Sequence, residues 1–259
     1  MRKVALVGVV VVLLTAAVVG GWWYAHRNST TPVSPDEAVE RYERGRSSST
    51  TSPSTSPSTE VQTTVLARLP APGVYVYATS GSDSVDALSG ASHRYPATTT
   101  ITVEPADCGV TQRWLALEER WDQWTSCTDG RGILLRDFTG FHRFFGQATT
   151  EKWVCSGEAR PAAANPGTTW RATCDEQGVT TVWQGTVVGA ESLHVGSETV
   201  PVQRVRISLD DGLPADKQNY EAWYLEGTDL LVRQTADIET SNSTSVGTVI
   251  YREHYTIDL

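Results

Sequence analysis

Hydrophobic and polar positions divide the chain into three stretches of different texture. The first is an unbroken apolar run, Val4 to Tyr24, whose polar content is Thr15 and three glycines. As a helix rising ~1.5 Å per residue it would reach ~30 Å, the thickness of a bilayer hydrocarbon core. Arg2 and Lys3 precede the run, and Trp22, Trp23 and Tyr24 close it where an interfacial aromatic belt would sit. Residues 1–27 are therefore expected to be a short cytoplasmic segment and a single transmembrane anchor, with everything after it outside the cytoplasm. A secretory signal peptide, cleaved to release the domain, is the alternative. The run is long for one, and the aromatic triplet is a poor cleavage context. No cysteine precedes Cys108, which excludes a lipid-modified N-terminal cysteine.

The second stretch, residues 28–64, has almost no large apolar side chains and is rich in Ser, Thr and Pro, most of all in SSSTTSPSTSPSTE. Such a composition does not bury enough surface to offset the entropy of ordering, so it predicts a disordered stalk. Pro35 followed by DEAVERYERGR could open a helical turn with its acids at the N-terminal end. A solvated linker is the preferred reading of that segment.

From Val65 to the C-terminus, short runs rich in Val, Ile, Thr, Tyr and Trp alternate with Gly, Pro, Asp and Asn breaks. GVYVYATSG puts Val74 and Val76 on one face and Tyr75 and Tyr77 on the other. ATTTITVEP, GVTTVWQGTVVG, TVPVQRVRISL, YEAWYL, DLLVRQTADIET and GTVIYREHYTIDL read the same way. The pattern predicts an all-β domain over 65–259, with eight to eleven antiparallel strands and a short helical turn in SDSVDALSG. TQRWLALEERWDQW is ambiguous, because Trp114, Leu117, Trp121 and Trp124 also recur at helical spacing.

The cysteines bear on that ambiguity. Cys108 and Cys127 are 19 residues apart, and one helix through both would separate them by ~28 Å, whereas a disulfide needs Cα atoms within ~7 Å. A hairpin centred near Leu117 and Glu118 would bring them together and pair Trp114 with Trp121, although Leu-Glu is not a favoured turn pair. Cys155 and Cys174 repeat the spacing around Asn165-Pro166-Gly167, a strong turn signal. Four cysteines allow three connectivities; spacing favours Cys108–Cys127 and Cys155–Cys174. An even count fits an oxidising compartment.

Charge and composition exclude one class of partner. The whole chain has a formal net charge of −9, and from residue 65 onward 25 acidic residues face 15 basic ones. No basic footprint exists for a nucleic-acid backbone, so no nucleic-acid partner is expected.

Catalytic chemistry finds little support. His93, His142, His194 and His254 have no metal-ligand spacing around them, and no nucleophile elbow, phosphate loop or dinucleotide fingerprint occurs. GSDS at Gly81–Ser84 reads as a turn. Glu118-Glu119 and Asp210-Asp211 are adjacent acids, which strands point to opposite faces, whereas a glycosidase needs two acids facing across a cleft. No catalytic residue, metal or cofactor is assigned. The informative feature is aromatic. Trp114, Trp121, Trp124, Trp183 and Trp223, with Phe141, Phe144 and Phe145 in a presumed lip loop FHRFFG, are the candidate lining of an apolar cavity. The other reading of these rings is a packed core.

The last third carries a resemblance. TVVGAESLHVGSETVPVQRVRISL, then YEAWYLEGTDLLVRQTADIE and VIYREHYTIDL, is similar to secreted bacterial β-sheet domains of the lipoprotein-carrier half-barrel type. Trp223, Tyr224, Leu225, Leu230, Val232 and Arg233 stand in their strand-pair motif; Leu230-Leu231 replaces Gly-Leu. The whole chain resembles uncharacterised membrane-anchored extracytoplasmic proteins of high-GC bacteria. The resemblance implies a curved antiparallel sheet or half-barrel around an apolar cavity, and supplies no catalytic residue. The expected function is a non-catalytic tethered domain that binds a lipid or other apolar ligand, with the bilayer as partner through residues 4–24. A scaffold subunit of a cell-envelope complex is the alternative. An envelope hydrolase, for which His93, Asp137 and Glu253 would have to converge, is the remote one.

Overall fold

A computed structural model describes residues 29–48, 67–87, 90–210, 216–244 and 247–259. The expected anchor at 4–24 lies outside the described residues; among those described, no helix is long and apolar enough to cross a membrane. One helix, α1 (Pro35–Ser48), precedes the strands β1 (Gly73–Val85), β2 (Ala91–Arg94), β3 (Thr98–Ala106), β4 (Gly109–Leu117) and β5 (Arg120–Thr128). The chain continues through β6 (Gly132–Phe144), β7 (Gln147–Gly157), β8 (Arg160–Pro161), β9 (Thr169–Glu176) and β10 (Val179–Val195). It ends with β11 (Glu198–Asp210), β12 (Lys217–Leu225), β13 (Leu231–Thr244) and β14 (Gly247–Asp258).

The expected half-barrel is in fact closed. Each strand pairs antiparallel with its neighbour from β14 back to β3 and β1, and β14 then pairs β1. Of the fourteen strands, β2 lies beside β1 and β8 beside β6, so twelve form the ring. The closing strand is β1, which is long enough for two sets of partners. Residues 73–78 pair β3, while 78–85 pair β14 on one side and, from Ser82, β2 on the other. Closure removes the open edges that a half-barrel would leave.

Local chemistry set the hairpins. Phe145-Gly146 joins β6 to β7 with φ of 55° and 76°, and Gln177-Gly178 joins β9 to β10 with 49° and 88°. These are the left-handed conformations of the tight turns whose twist matches that of paired strands. FHRFFG is thus strand followed by a two-residue turn, not a lip loop. Gly81–Ser84 is likewise strand, within β1, rather than turn.

TQRWLALEERWDQW is the expected hairpin, β4 and β5 turning at Glu118-Glu119, but its register is shifted by one. Leu115 pairs Trp121, and Trp114 pairs Asp122, because the ladder is irregular between Leu115 and Leu117. Both expected disulfides are present, Cys108–Cys127 with Cα atoms 5.3 Å apart and Cys155–Cys174 with 4.0 Å. Cys155 and Cys174 face each other directly across β7 and β9.

The stalk expected over 28–64 is corrected where it is described. Residues 29–48 form a strap against the barrel. Ser34 caps α1, its Oγ accepting from the Glu37 N–H at 3.2 Å. Ser34-Pro35-Asp36-Glu37 has the S-x-x-E spacing of a capping box, with proline at the first helical position. Glu37 pairs Arg41 and Glu40 pairs Arg44 one turn on. Val33 and Ala38, on either side of the cap, are 3% and 2% exposed and pack with Leu115, Val74 and Trp121. Upstream, the Thr31 N–H and Oγ1 donate to the Glu119 carboxylate, at 2.8 and 3.0 Å. Glu119 also accepts from Arg143 Nη2 (2.7 Å), and Arg41 pairs Glu118. The Glu-Glu turn, weak by its own chemistry, is held by the strap it holds.

Val33→Asp should release this strap, since an uncompensated charge would replace a buried methyl pair. We expect trypsin to cut after Arg41, Arg44 or Arg46 at least tenfold faster in the variant, with the barrel's near-ultraviolet dichroism unchanged. Equal cleavage of both proteins would mean the strap is not docked in solution.

Candidate functional site

Strand parity decides which side chains enter the barrel. Ile101 of β3, Trp114 of β4, Asp122 of β5, Gly140 of β6 and Glu151 of β7 form one cross-strand row. The next row runs Val103, Gln112, Trp124, Phe138 and Trp153. On the opposite wall, Gly185, Ile207, Tyr220, Ala236 and Tyr255 make a third.

These rows border a partly open cavity of about 130 Å³. Trp114, Trp124, Phe138, Trp170 and Trp183 line it together with Tyr220, Tyr224 and Tyr255. Gly185 pairs Trp170, and a Cβ on it would fall 2.0 Å from the indole, so the bare backbone is what lets that ring lie flat against the wall. Phe138 and Trp183 contact each other with centroids 5.3 Å apart. Polar groups are few: Asp122, Ser126, Glu158, Arg160, Asp229 and Gln234 reach the lining.

Two buried charge centres flank the rings. At the first, Arg120 is 2% exposed and gives a forked pair of hydrogen bonds to Asp122 (2.5 and 2.7 Å). It gives a second pair to Glu253, from Nε at 2.9 Å and Nη2 at 2.8 Å. Tyr95 donates its hydroxyl to Glu253 at 2.5 Å. Asp83 lies opposite Glu253 across the β1–β14 seam, with His93 Nδ1 at 2.9 Å. Burial raises the Asp83 and Asp122 carboxyls above their ordinary range, with His93 and Arg120 respectively pulling the other way. Burial likewise raises Glu151, reinforced by Glu176 and Asp122.

His142 closes this end, edge-on to Tyr251 at 4.6 Å, and its buried Nδ1 has no partner among the described residues. Burial, then the Arg120 charge, holds its imidazole well below the usual histidine range. The folded state therefore takes up this proton later than the unfolded state as pH falls. The stability due to neutral His142 is complete above about pH 6.5 and is lost below it, by at most ~1.4 kcal/mol per pH unit. Relative to His142→Phe, the wild-type protein should lose stability between pH 6.5 and 5 in denaturant titrations. A constant difference across that range would contradict the buried neutral imidazole.

At the second centre, Arg160 Nη2 donates to Asp229 Oδ1 at 2.5 Å, and Gln112 Nε2 to Asp229 Oδ2 at 2.8 Å. The guanidinium carbon lies 3.7 Å from the Tyr224 ring centroid. Burial pushes the Tyr224 hydroxyl up to about 12, so it stays protonated.

Of the eight rings singled out from sequence, Trp114, Trp124 and Trp183 line the cavity. The other five do not. Trp121 and Phe141 have the opposite parity and stack on each other outside, centroids 5.1 Å apart, with Arg113 over Trp121 at 4.0 Å. Phe144 stacks on His93 at 4.4 Å near the barrel end, and Phe145 forms the β6–β7 turn. Trp223 packs outside with Val202 and Val232, its Nε1 donating to Glu191 at 3.1 Å. The set chosen from sequence left out Phe138, Trp170, Tyr220, Tyr224, Tyr255 and Arg160, which also line the cavity. The alternation Tyr220-Ala222-Tyr224 carried a usable signal, because period two puts those residues on the face opposite Trp223. Of the remote hydrolytic trio, His93 and Glu253 sit at the first charge centre, while Asp137 accepts from Thr125 Oγ1 on the other face of β6. Among the described residues no group of three or more His, Cys, Asp or Glu could hold a metal ion.

No protein-family model matches the chain. No curated protein matches it either. Among solved structures, the chain is similar to the hypothetical lipoprotein YmcC from Escherichia coli (K12). That likeness has 11% identity and a TM-score of 0.29, and covers 68% of this chain and 85% of that one.

Proposed function

We propose that this protein is a membrane-tethered, extracytoplasmic, non-catalytic barrel that holds a small apolar ligand in its interior. The observation that supports the reading is the ring-lined cavity of about 130 Å³. Well-packed domains leave few voids larger than a water molecule, and dry apolar cavities of ~150 Å³ bind a molecule the size of benzene. Drug-sized ligands need ~300 Å³ or more. The space therefore suits one ring or the end of an acyl chain, not a whole lipid. The tether rests on the apolar run 4–24 and on two disulfides, which suit an oxidising compartment. With Thr31 bonded to Glu119, an anchor ending at Tyr24 would leave only seven residues, at most ~25 Å, between bilayer and barrel.

The test is to purify the full chain inside polymer-excised membrane patches, so that no detergent enters the cavity, and identify small molecules released on denaturation by mass spectrometry. Ala172, 6% exposed, lines the cavity, and Ala172→Phe would fill it. A species stoichiometric with the wild-type protein and depleted in the variant is expected. No enriched species, or the same one in both, would overturn the reading.

A further inference from the structure

We infer that the cavity opens through a portal in the side wall of the barrel, between β6 and residues 155–159, and that its ligand lies through that portal. The ligand is then longer than the cavity, with an apolar chain end among the rings and the rest of the chain outside the wall. This deepens the apolar-ligand reading and rests on it.

The portal follows from the pairing register. β6 and β7 pair from Phe144 and Gln147 as far as Asp137 and Val154. The next partner of β6 on that side is Arg160 of β8, opposite Ile133. Five residues, 155–159, therefore stand against three of β6, 134–136, and among the described residues the two stretches form no ladder. Extra residues on one side of a ladder bend that strand away from its partner. The segment goes to β9 instead. Cys155, Ser156 and Gly157 pair Cys174, Thr173 and Ala172, and the Glu158 N–H donates to the Arg171 carbonyl oxygen at 2.8 Å. Gly157 makes the bend with φ +131°, where a Cβ would fall 2.6 Å from that same oxygen. The Cys155–Cys174 disulfide ties the bent segment to β9, away from β6.

The cavity reaches this gap. Leu135 on the β6 side and Glu158 on the other both line it, the first half-buried and the second exposed. The ends of the barrel are obstructed. At one, His93 stacks on Phe144, and Arg120 bonds both Asp122 and Glu253. At the other, the chain crosses from β6 to the turn between β12 and β13, nearly opposite in the ring. There Arg160 bonds Asp229, and the Gly227 N–H donates to the Ala162 carbonyl oxygen at 3.1 Å. The interior has room for a body the size of benzene, roughly six carbons. A sealed cavity would stop there. A side opening lets a chain continue past Leu135, and each further methylene kept from water adds to binding.

The experiment is photolabelling of the full chain in polymer-excised membrane patches, with the labelled peptides mapped by mass spectrometry. The probes are two dodecanols, one with a diazirine at the chain end and one with it beside the hydroxyl, and phenyl azide, a single ring that fits inside. The chain-end probe is expected to label the lining at Trp170, Trp183 or Tyr224. The hydroxyl-end probe is expected to label the rims, 134–136 and 155–159. Excess unlabelled dodecanol should remove both. Leu135→Asp places a charge where the chain would pass. It should lower chain-end labelling of the lining about tenfold, while phenyl azide still labels it. Labelling of the lining by phenyl azide and by neither dodecanol would overturn the portal and leave the apolar cavity standing. Equal labelling of the lining by both dodecanols, or no effect of Leu135→Asp, would also overturn the portal. Labelling of the lining by no probe would overturn both.

Discussion

Replacing Arg120 with methionine is expected to cost about 3–5 kcal/mol. Among the described residues the guanidinium is the only cation bonded to Asp122 and Glu253, and all three are nearly excluded from water. Removing it leaves two buried carboxylates without a counter-charge, the situation in which breaking a buried pair is most costly. Denaturant midpoints followed by tryptophan fluorescence would measure the loss. Arg120→Met/Asp122→Leu/Glu253→Leu should recover most of it, because apolar groups of similar volume commonly replace a buried ion triad at little cost. A loss below ~1 kcal/mol in the single variant would show that the acids are protonated and need no partner. The triad links β5, which carries Arg120 and Asp122, to β14, which carries Glu253, across the barrel.

Gly81→Ala is the second large effect, expected at about 3 kcal/mol or more. Gly81 has φ +137°, and a Cβ there would sit 2.3 Å from the His254 carbonyl oxygen and 2.6 Å from Tyr255 Cα. Both obstacles are backbone of β14, at the seam where β1 changes partners and the ring closes. Strain at a disfavoured backbone conformation costs ~1–3 kcal/mol, and overpacking adds a similar amount. Gly130→Ala is the control. It shares a positive φ, +88°, but has nothing within 4 Å of the added methyl, so only the strain should be lost. If thermal melts place the two variants together, the close approach of β14 does not matter to closure.

The strands were legible because their signal is local. Alternation of β-branched and aromatic residues with Gly-containing turns marked β3, β10, β11, β13 and β14 in place. The two cysteine pairs were legible for the same reason, each being a contact within one short excursion of the chain. The strap was missed although its signal was present: Ser34 to Glu37 has capping-box spacing, and Val33 and Ala38 flank it as a staple. The Ser/Thr/Pro composition around it outweighed a signal that becomes decisive only when the barrel supplies Leu115 and Trp121 as a seat.

By itself, then, the sequence determined the antiparallel β class, both disulfides and the abundance of rings, because those depend on neighbours along the chain, though it read eight to eleven strands where fourteen form. Closure did not follow from it, because the pairing of β1 with β14 joins residues 166 to 180 positions apart and leaves no local trace. The inward set of rings did not follow either. A shift of one residue, such as the irregularity between Leu115 and Leu117, sends a side chain to the other face. Trp121 and Trp223 went outside while Trp170, Tyr220 and Tyr224 went in, and Arg160 met Asp229 from 69 residues away. Only the folded ring, which fixes parity on all its strands at once, decides which of these groups share a cavity.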